Sequence, residues 1–76
     1  MISLDTCKQI TYSPLIPAMR TICEAPLGET IEIIMDNKEA FNDLKEYLSE
    51  QSVGFREIYM KDRMILQFKK NDFTNG

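Results

Sequence analysis

The chain has 76 residues, 43% hydrophobic and 28% charged, with nine Lys and Arg against twelve Asp and Glu, no histidine, and a formal net charge of −3. A chain of this size supports one core, burying roughly 60–65% of the surface its unfolded form exposes, and its composition is that of a folded soluble domain rather than a disordered one. The acidic balance leaves no footprint for a phosphate backbone, which excludes nucleic acid as an expected partner.

No basic, apolar leader follows Met1 and no run of about 18 apolar residues occurs, so a cytoplasmic protein without membrane insertion is expected. Cys7 and Cys23 are the only cysteines, and with no export signal a reduced pair is expected rather than a disulfide.

Residues 2–6 read as a short strand, with Ile2 and Leu4 on one face and Ser3 and Asp5 on the other. Residues 7–12 are then a loop into a helix that starts at Ser13-Pro14, where the serine hydroxyl accepts from an early backbone N–H and a proline at the first helical position loses nothing. That start puts Pro17 at the fourth helical position, where an N–H is needed. Either the first turn is irregular or the regular helix begins at Pro17. Leu15, Ala18, Met19, Ile22 and Ala25 form one apolar stripe. Cys23 follows Met19 by four residues, so it is expected to pack along the stripe's edge as a core thiol. Pro26 and Gly28 end the helix.

Residues 29–35 alternate Ile31, Ile33 and Met35 against Thr30, Glu32 and Ile34, a strand with one clearly buried face. Asp36-Asn37 caps a second helix over 38–51, whose apolar side carries Ala40, Phe41, Leu44, Tyr47 and Leu48. After Ser52-Val53-Gly54, residues 55–60 and 63–69 are strand-like. Their separation by Lys61-Asp62 predicts an antiparallel hairpin. Residues 71–76 are a polar tail expected to be loose.

The order β-α-β-α-β-β predicts an α+β fold over residues 1–70, a two-layer α/β sandwich in which two helices cover one face of a four-stranded mixed sheet. Leu15, Met19, Ile22, Ile31, Ile33, Phe41, Leu44 and Leu48 are the expected core.

The stretch Leu4-Asp5-Thr6-Cys7-Lys8-Gln9-Ile10-Thr11-Tyr12-Ser13-Pro14 resembles the opening of the TusA/SirA-like sulfur-carrier family, the SirA, YedF and YeeD relatives included. There a Leu-Asp pair leads through a short loop to Cys-Pro-x-Pro at the start of the first helix. In the same ungapped register the family's Pro-Gly-Glu/Asp-x-Leu turn falls on Leu27-Gly28-Glu29-Thr30-Ile31, and its Asp-Asp/Asn…Asp-Ile pattern on Asp36-Asn37 and Asp43-Leu44. The resemblance spans residues 4–69 and implies the same sandwich.

It also implies a persulfide carried on the helix-start cysteine, and here the chain departs from the pattern. The tetrapeptide reads Thr11-Tyr12-Ser13-Pro14, and the Gly-His often found after the second helix reads Ser52-Val53. The family-site positions are therefore Thr11, Tyr12 and Pro14. A hydroxyl cannot hold a persulfide and needs a neighbouring base to act as a nucleophile, and the usual base, histidine, is absent from the chain.

Cys7 lies four residues before Thr11. It reads either as a displaced thiol or as a small, half-buried residue ending a strand. Asp36, Glu39 and Asp43 suit the positive end of a helix dipole better than a metal site, and no metal or cofactor is expected. Arg56, Lys61, Arg63, Lys69 and Lys70 gather on the hairpin, as a patch for an acidic partner or as a solvated sheet edge.

The favoured reading is a non-catalytic, divergent relative of the sulfur-transfer proteins. It would bind a protein partner, such as a sulfur-relay component, or a small ligand through the loop of residues 7–14 and the adjoining sheet. One alternative is an active sulfurtransferase using Cys7 as its persulfide acceptor, and the other is a ligand-sensing or structural domain sharing only the fold. The oligomeric state is left open.

Overall fold

The centre of the molecule is set by two strands whose alternate residues are all large and apolar. In the computed structural model, which describes residues 1–7 and 13–70, the elements are β1 (Ile2–Asp5), α1 (Leu15–Glu24), β2 (Thr30–Met35), α2 (Lys38–Glu50), β3 (Phe55–Tyr59) and β4 (Met64–Lys69). The sheet order is β1-β2-β4-β3, with β1 parallel to β2 and the other neighbours antiparallel. This is the mixed sheet expected from the sequence. The loop positions 8–12, Thr11 and Tyr12 among them, and the tail 71–76 lie outside the described residues.

Register decides which side chains meet. Ile31, Ile33 and Met35 sit opposite Phe68, Leu66 and Met64, with Ile2 and Leu4 alongside on β1. Ala18 and Ile22 come down on this face from α1, Ala25 from its C-cap position, and Ala40, Phe41, Leu44 and Leu48 from α2. Full burial of each large aliphatic or aromatic side chain contributes about 1.5–3 kcal/mol, so β2, β4 and α2 supply most of the apolar drive.

Two sequence expectations about α1 need correction. Cys23 is exposed, not a core thiol, because it stands about 100° around the helix from Ile22, and Met19, one turn before it, is itself only partly buried. The contact stripe of α1 is narrower than its apolar pattern. The helix also starts one residue later than the Ser13-Pro14 signal implied, with Pro14 as the N-cap residue. Pro17 is thereby the third helical residue, where no intrahelical N–H is required. The first helical bond is Ala18 N–H to Pro14 O at 3.3 Å, and neither proline costs a bond.

The helix ends have local causes. Ala25 is extended (φ −70°, ψ 143°) because Pro26 disfavours the helical region for the residue before it. Gly28 then turns the chain at φ +86°, a conformation most side chains resist. Lys70 closes this end, its backbone pairing with Gly28 and Glu29 and its Nζ donating to Ile22 O (2.5 Å) and Ala25 O (3.1 Å). A cation there complements the negative end of α1. Lys70 is therefore tied to α1 rather than spread on a basic surface.

At the far end of α2, Ser52 N–H donates to Ser49 O (3.0 Å) and Val53 N–H to Leu48 O (2.9 Å). These two bonds form a Schellman motif that holds Ser52 at φ 59°.

Candidate functional site

The site grows from the end of the sheet where β1 and β2 finish and both helices begin. Thr6, only 2% exposed, roots the loop after β1. Its backbone N–H and its hydroxyl both donate to Ile34 O at 2.8 Å. One residue earlier, the Asp5 carboxylate accepts from Cys7 N–H at 2.9 Å, a side-chain turn that such residues form readily. Asp5 thus closes a turn at Cys7.

Cys7 is half-buried, and its thiol is pushed up from 9.0 to about 11. Burial is the main cause, followed by the hydrogen bond and charge of Asp5 and then the charge of Asp36, with Arg63 opposing. At neutral pH only about one such thiol in ten thousand is ionised. A persulfide acceptor needs the reverse, an electropositive setting that favours the thiolate. Cys7 and Cys23 are both free thiols.

Of the family-site positions the described residues include Pro14, buried at the N-cap of α1. Ser13 before it supplies the local cap: its Oγ accepts from Leu15 N–H (3.2 Å) and its carbonyl from Ile16 N–H (3.1 Å).

Between the start of α2 and the β3–β4 hairpin lies a cleft of about 350 Å³, lined by Asp36 and Arg63, whose charges bear on Cys7, and by Lys38, Tyr59, Met60 and Lys61 among others. Tyr59 and Met60 are 60% and 55% exposed. Sequence reasoning missed both, although two large apolar residues beside the charged Lys61-Asp62 turn were a readable signal. Tyr59 is held in place by its edge-to-face contact with Phe41 (centroids 5.8 Å apart) and by a short hydrogen bond from its hydroxyl to Glu57. Lys45 Nζ completes the cluster, 3.1 Å from Glu57 and 5.1 Å from the Phe41 ring centre. The Tyr59 hydroxyl first, then Lys45, hold the Glu57 carboxyl below its ordinary range.

The basic residues do not form one patch. Lys61 and Arg63 line the cleft, Lys70 caps α1, and Arg56 and Lys69 are exposed on the sheet. Asp36 lines the cleft, while Glu39 lies in the first turn of α2. Among the described residues no group of three or more His, Cys, Asp or Glu side chains is placed to hold a metal ion.

An α+β sandwich with a strand-to-helix loop at the end of its sheet defines the class. The family model for Sulfurtransferase TusA matches residues 2–68, and the chain belongs to that family. The crystal structure of the SirA-like protein from Desulfitobacterium hafniense superposes with a TM-score of 0.75 at 16% sequence identity, over 93% of this chain and 99% of that one. Likeness at that identity carries the fold alone. Among curated proteins none matches. Among the described residues no helix is long and apolar enough to cross a membrane.

Proposed function

We propose that this chain is a TusA-family protein that works by binding rather than by carrying sulfur, in the cytoplasm, with a protein of a sulfur relay as its partner. The observation that carries the reading is the residue at the family's sulfur position, Thr11, whose hydroxyl cannot hold a persulfide. The surroundings of Cys7 support it, because burial first, and then Asp5 and Asp36, disfavour the thiolate that a displaced carrier would need. The proposed binding surface is the stretch from Cys7 to Pro14 together with the cleft, where Tyr59 and Met60 are apolar anchors inside a rim of Lys61, Asp62 and Arg63.

The test is intact mass after incubation with a cysteine desulfurase and cysteine. No added sulfur is expected beyond the level of a free-thiol control. A stable persulfide formed faster than that control, abolished by Cys7→Ser and retained in Cys23→Ser, would replace this reading with a sulfur carrier that uses Cys7.

A further inference from the structure

Among the described residues, no layer lies over the face of the sheet away from the helices. Strand pleating sends Ile31, Ile33 and Met35 toward the helices and therefore Thr30, Glu32 and Ile34 the other way. Register carries the division across the sheet: Ile34 pairs with Ile65, and Ile65 with Ile58. Three half-buried isoleucines from three adjacent strands thus form one continuous row on the open face.

The neighbouring row runs Ser3, Glu32, Gln67, Arg56. Charge on this face is divided by side, with Asp5 and Glu32 on the β1–β2 half and Arg56 and Lys69 on the β4–β3 half.

We infer that this face is the interface of a homodimer, the open sheet of one copy laid against the same face of a second. The order of charges selects that occupant. A two-fold axis parallel to the strands and midway between β2 and β4 lays the acidic half of each copy over the basic half of the other. Ile34 then meets Ile65 of the second copy, and Ile65 meets its Ile34. Glu32 lies in the row that Arg56 of the second copy occupies, and sheets packed about 10 Å apart leave that pair within side-chain reach. A foreign surface must be built to match this order, whereas a second copy matches it by symmetry.

The row also has the sign of a site meant to be covered, since branched apolar side chains on an open sheet face promote association. Four strands about 4.8 Å apart, each presenting about 16 Å of length, offer a few hundred Å² per copy. A stable interface takes about 800 Å² per partner. The dimer is therefore weak and forms with rising concentration. None of the residues named for it belongs to the Cys7–Pro14 stretch or lines the cleft, so it stands independently of the proposed function.

Sedimentation velocity on the full chain from ~10 to ~500 μM tests it, a range that spans weak association. The sedimentation coefficient is expected to climb toward that of a dimer. Ile65→Lys, which puts a cation in the middle of the row, is expected to move the midpoint up at least ~10-fold. Because Ile65 is half-buried, the exposed Arg56→Glu serves as a second probe, with circular dichroism confirming the fold of each variant. It sets like charges against each other and weakens the dimer, and adding Glu32→Arg restores it.

A wild-type chain that stays monomeric at the highest concentration overturns the inference. So does association indifferent to Ile65→Lys and Arg56→Glu, and so does a double charge exchange as weak as the single one. The persulfide assay on Cys7 reads none of these residues.

Discussion

The two helices begin at the same end of the sheet and are secured in opposite ways. α2 buries Ala40, Phe41, Leu44 and Leu48. Its N-cap Asn37 accepts Ala40 N–H at 2.9 Å, and Glu39 in its first turn meets the positive end of the dipole. α1 buries only Ala18 and Ile22, has no acid in its first turn, and gains nothing from the side chain of its N-cap residue, Pro14. Its early donors are removed by proline or taken up by Ser13. The helix that anchors the fold and the helix that carries the family site are thus different helices. Burial is concentrated on the helix that does not carry the family-site positions, which leaves the start of α1 open to substitution at modest cost.

The sharpest way to break that contrast is to truncate one anchor on each helix. Leu44→Ala is expected to cost about 2–5 kcal/mol, a large share of what a domain this small possesses. Met19→Ala, partly buried on α1, is expected to cost on the order of 1 kcal/mol. Urea unfolding of both measures the difference, and equal losses would mean that α1 is no looser than α2.

Chemistry at the loop supplies the next effect. With its thiol raised from 9.0 to about 11, Cys7 is expected to hold about 100-fold less thiolate at neutral pH than an unperturbed cysteine. Its alkylation rate in a Cys23→Ser background is expected to keep rising to about pH 11. A plateau near pH 9 would remove the argument that burial and acidic neighbours suppress the thiolate. The same shift has a stability signature. The folded state holds the proton more tightly, so the contribution is complete below the unfolded-state value and is lost as pH rises from 9.0 to about 11.

The helix caps give a smaller effect. Asn37→Ala is expected to cost about 1 kcal/mol, whereas Ser13→Ala, which loses a longer bond at an exposed position, is expected to cost a few tenths of that, roughly 0.3 kcal/mol. Thermal melts rank the pair, and a larger loss at Ser13 would reverse the contrast between the two starts.

A further effect of similar size is a gain. Ser52 sits in the left-handed region at φ 59°, where the family resemblance has glycine. Ser52→Gly is expected to stabilise by roughly 0.5 kcal/mol, because glycine meets no steric penalty there. A loss of stability would show that the serine side chain contributes more than its backbone strain costs.

Much of this molecule was determined by sequence alone, because its signals are local. The alternation of Ile31, Ile33 and Met35, the cap at Asn37, the stripe on α2 and the breaks at Pro26 and Gly28 each act within a few residues. Together they imply the element order and the covered face of the sheet. The resemblance over residues 4–69 pointed to the family, and the absence of a cysteine at position 11 needs no coordinates to read.

Only the tertiary structure decided the remainder, since it depends on groups distant in sequence. Cys23 lies on an apolar pattern yet faces solvent, because sheet contact covers a narrower stripe of α1 than the pattern offers. Lys70 belongs with neighbouring basic residues until the chain brings it 2.5 Å from Ile22 O. Asp36 and Arg63 bear on Cys7 only once β2 and the hairpin end beside it, and Ile34, Ile65 and Ile58 become one row only through strand register. Helix propensity, capping and pleating are short-range and can be read along the chain. The field at a thiol and the continuity of a surface are sums over neighbours that folding alone assembles.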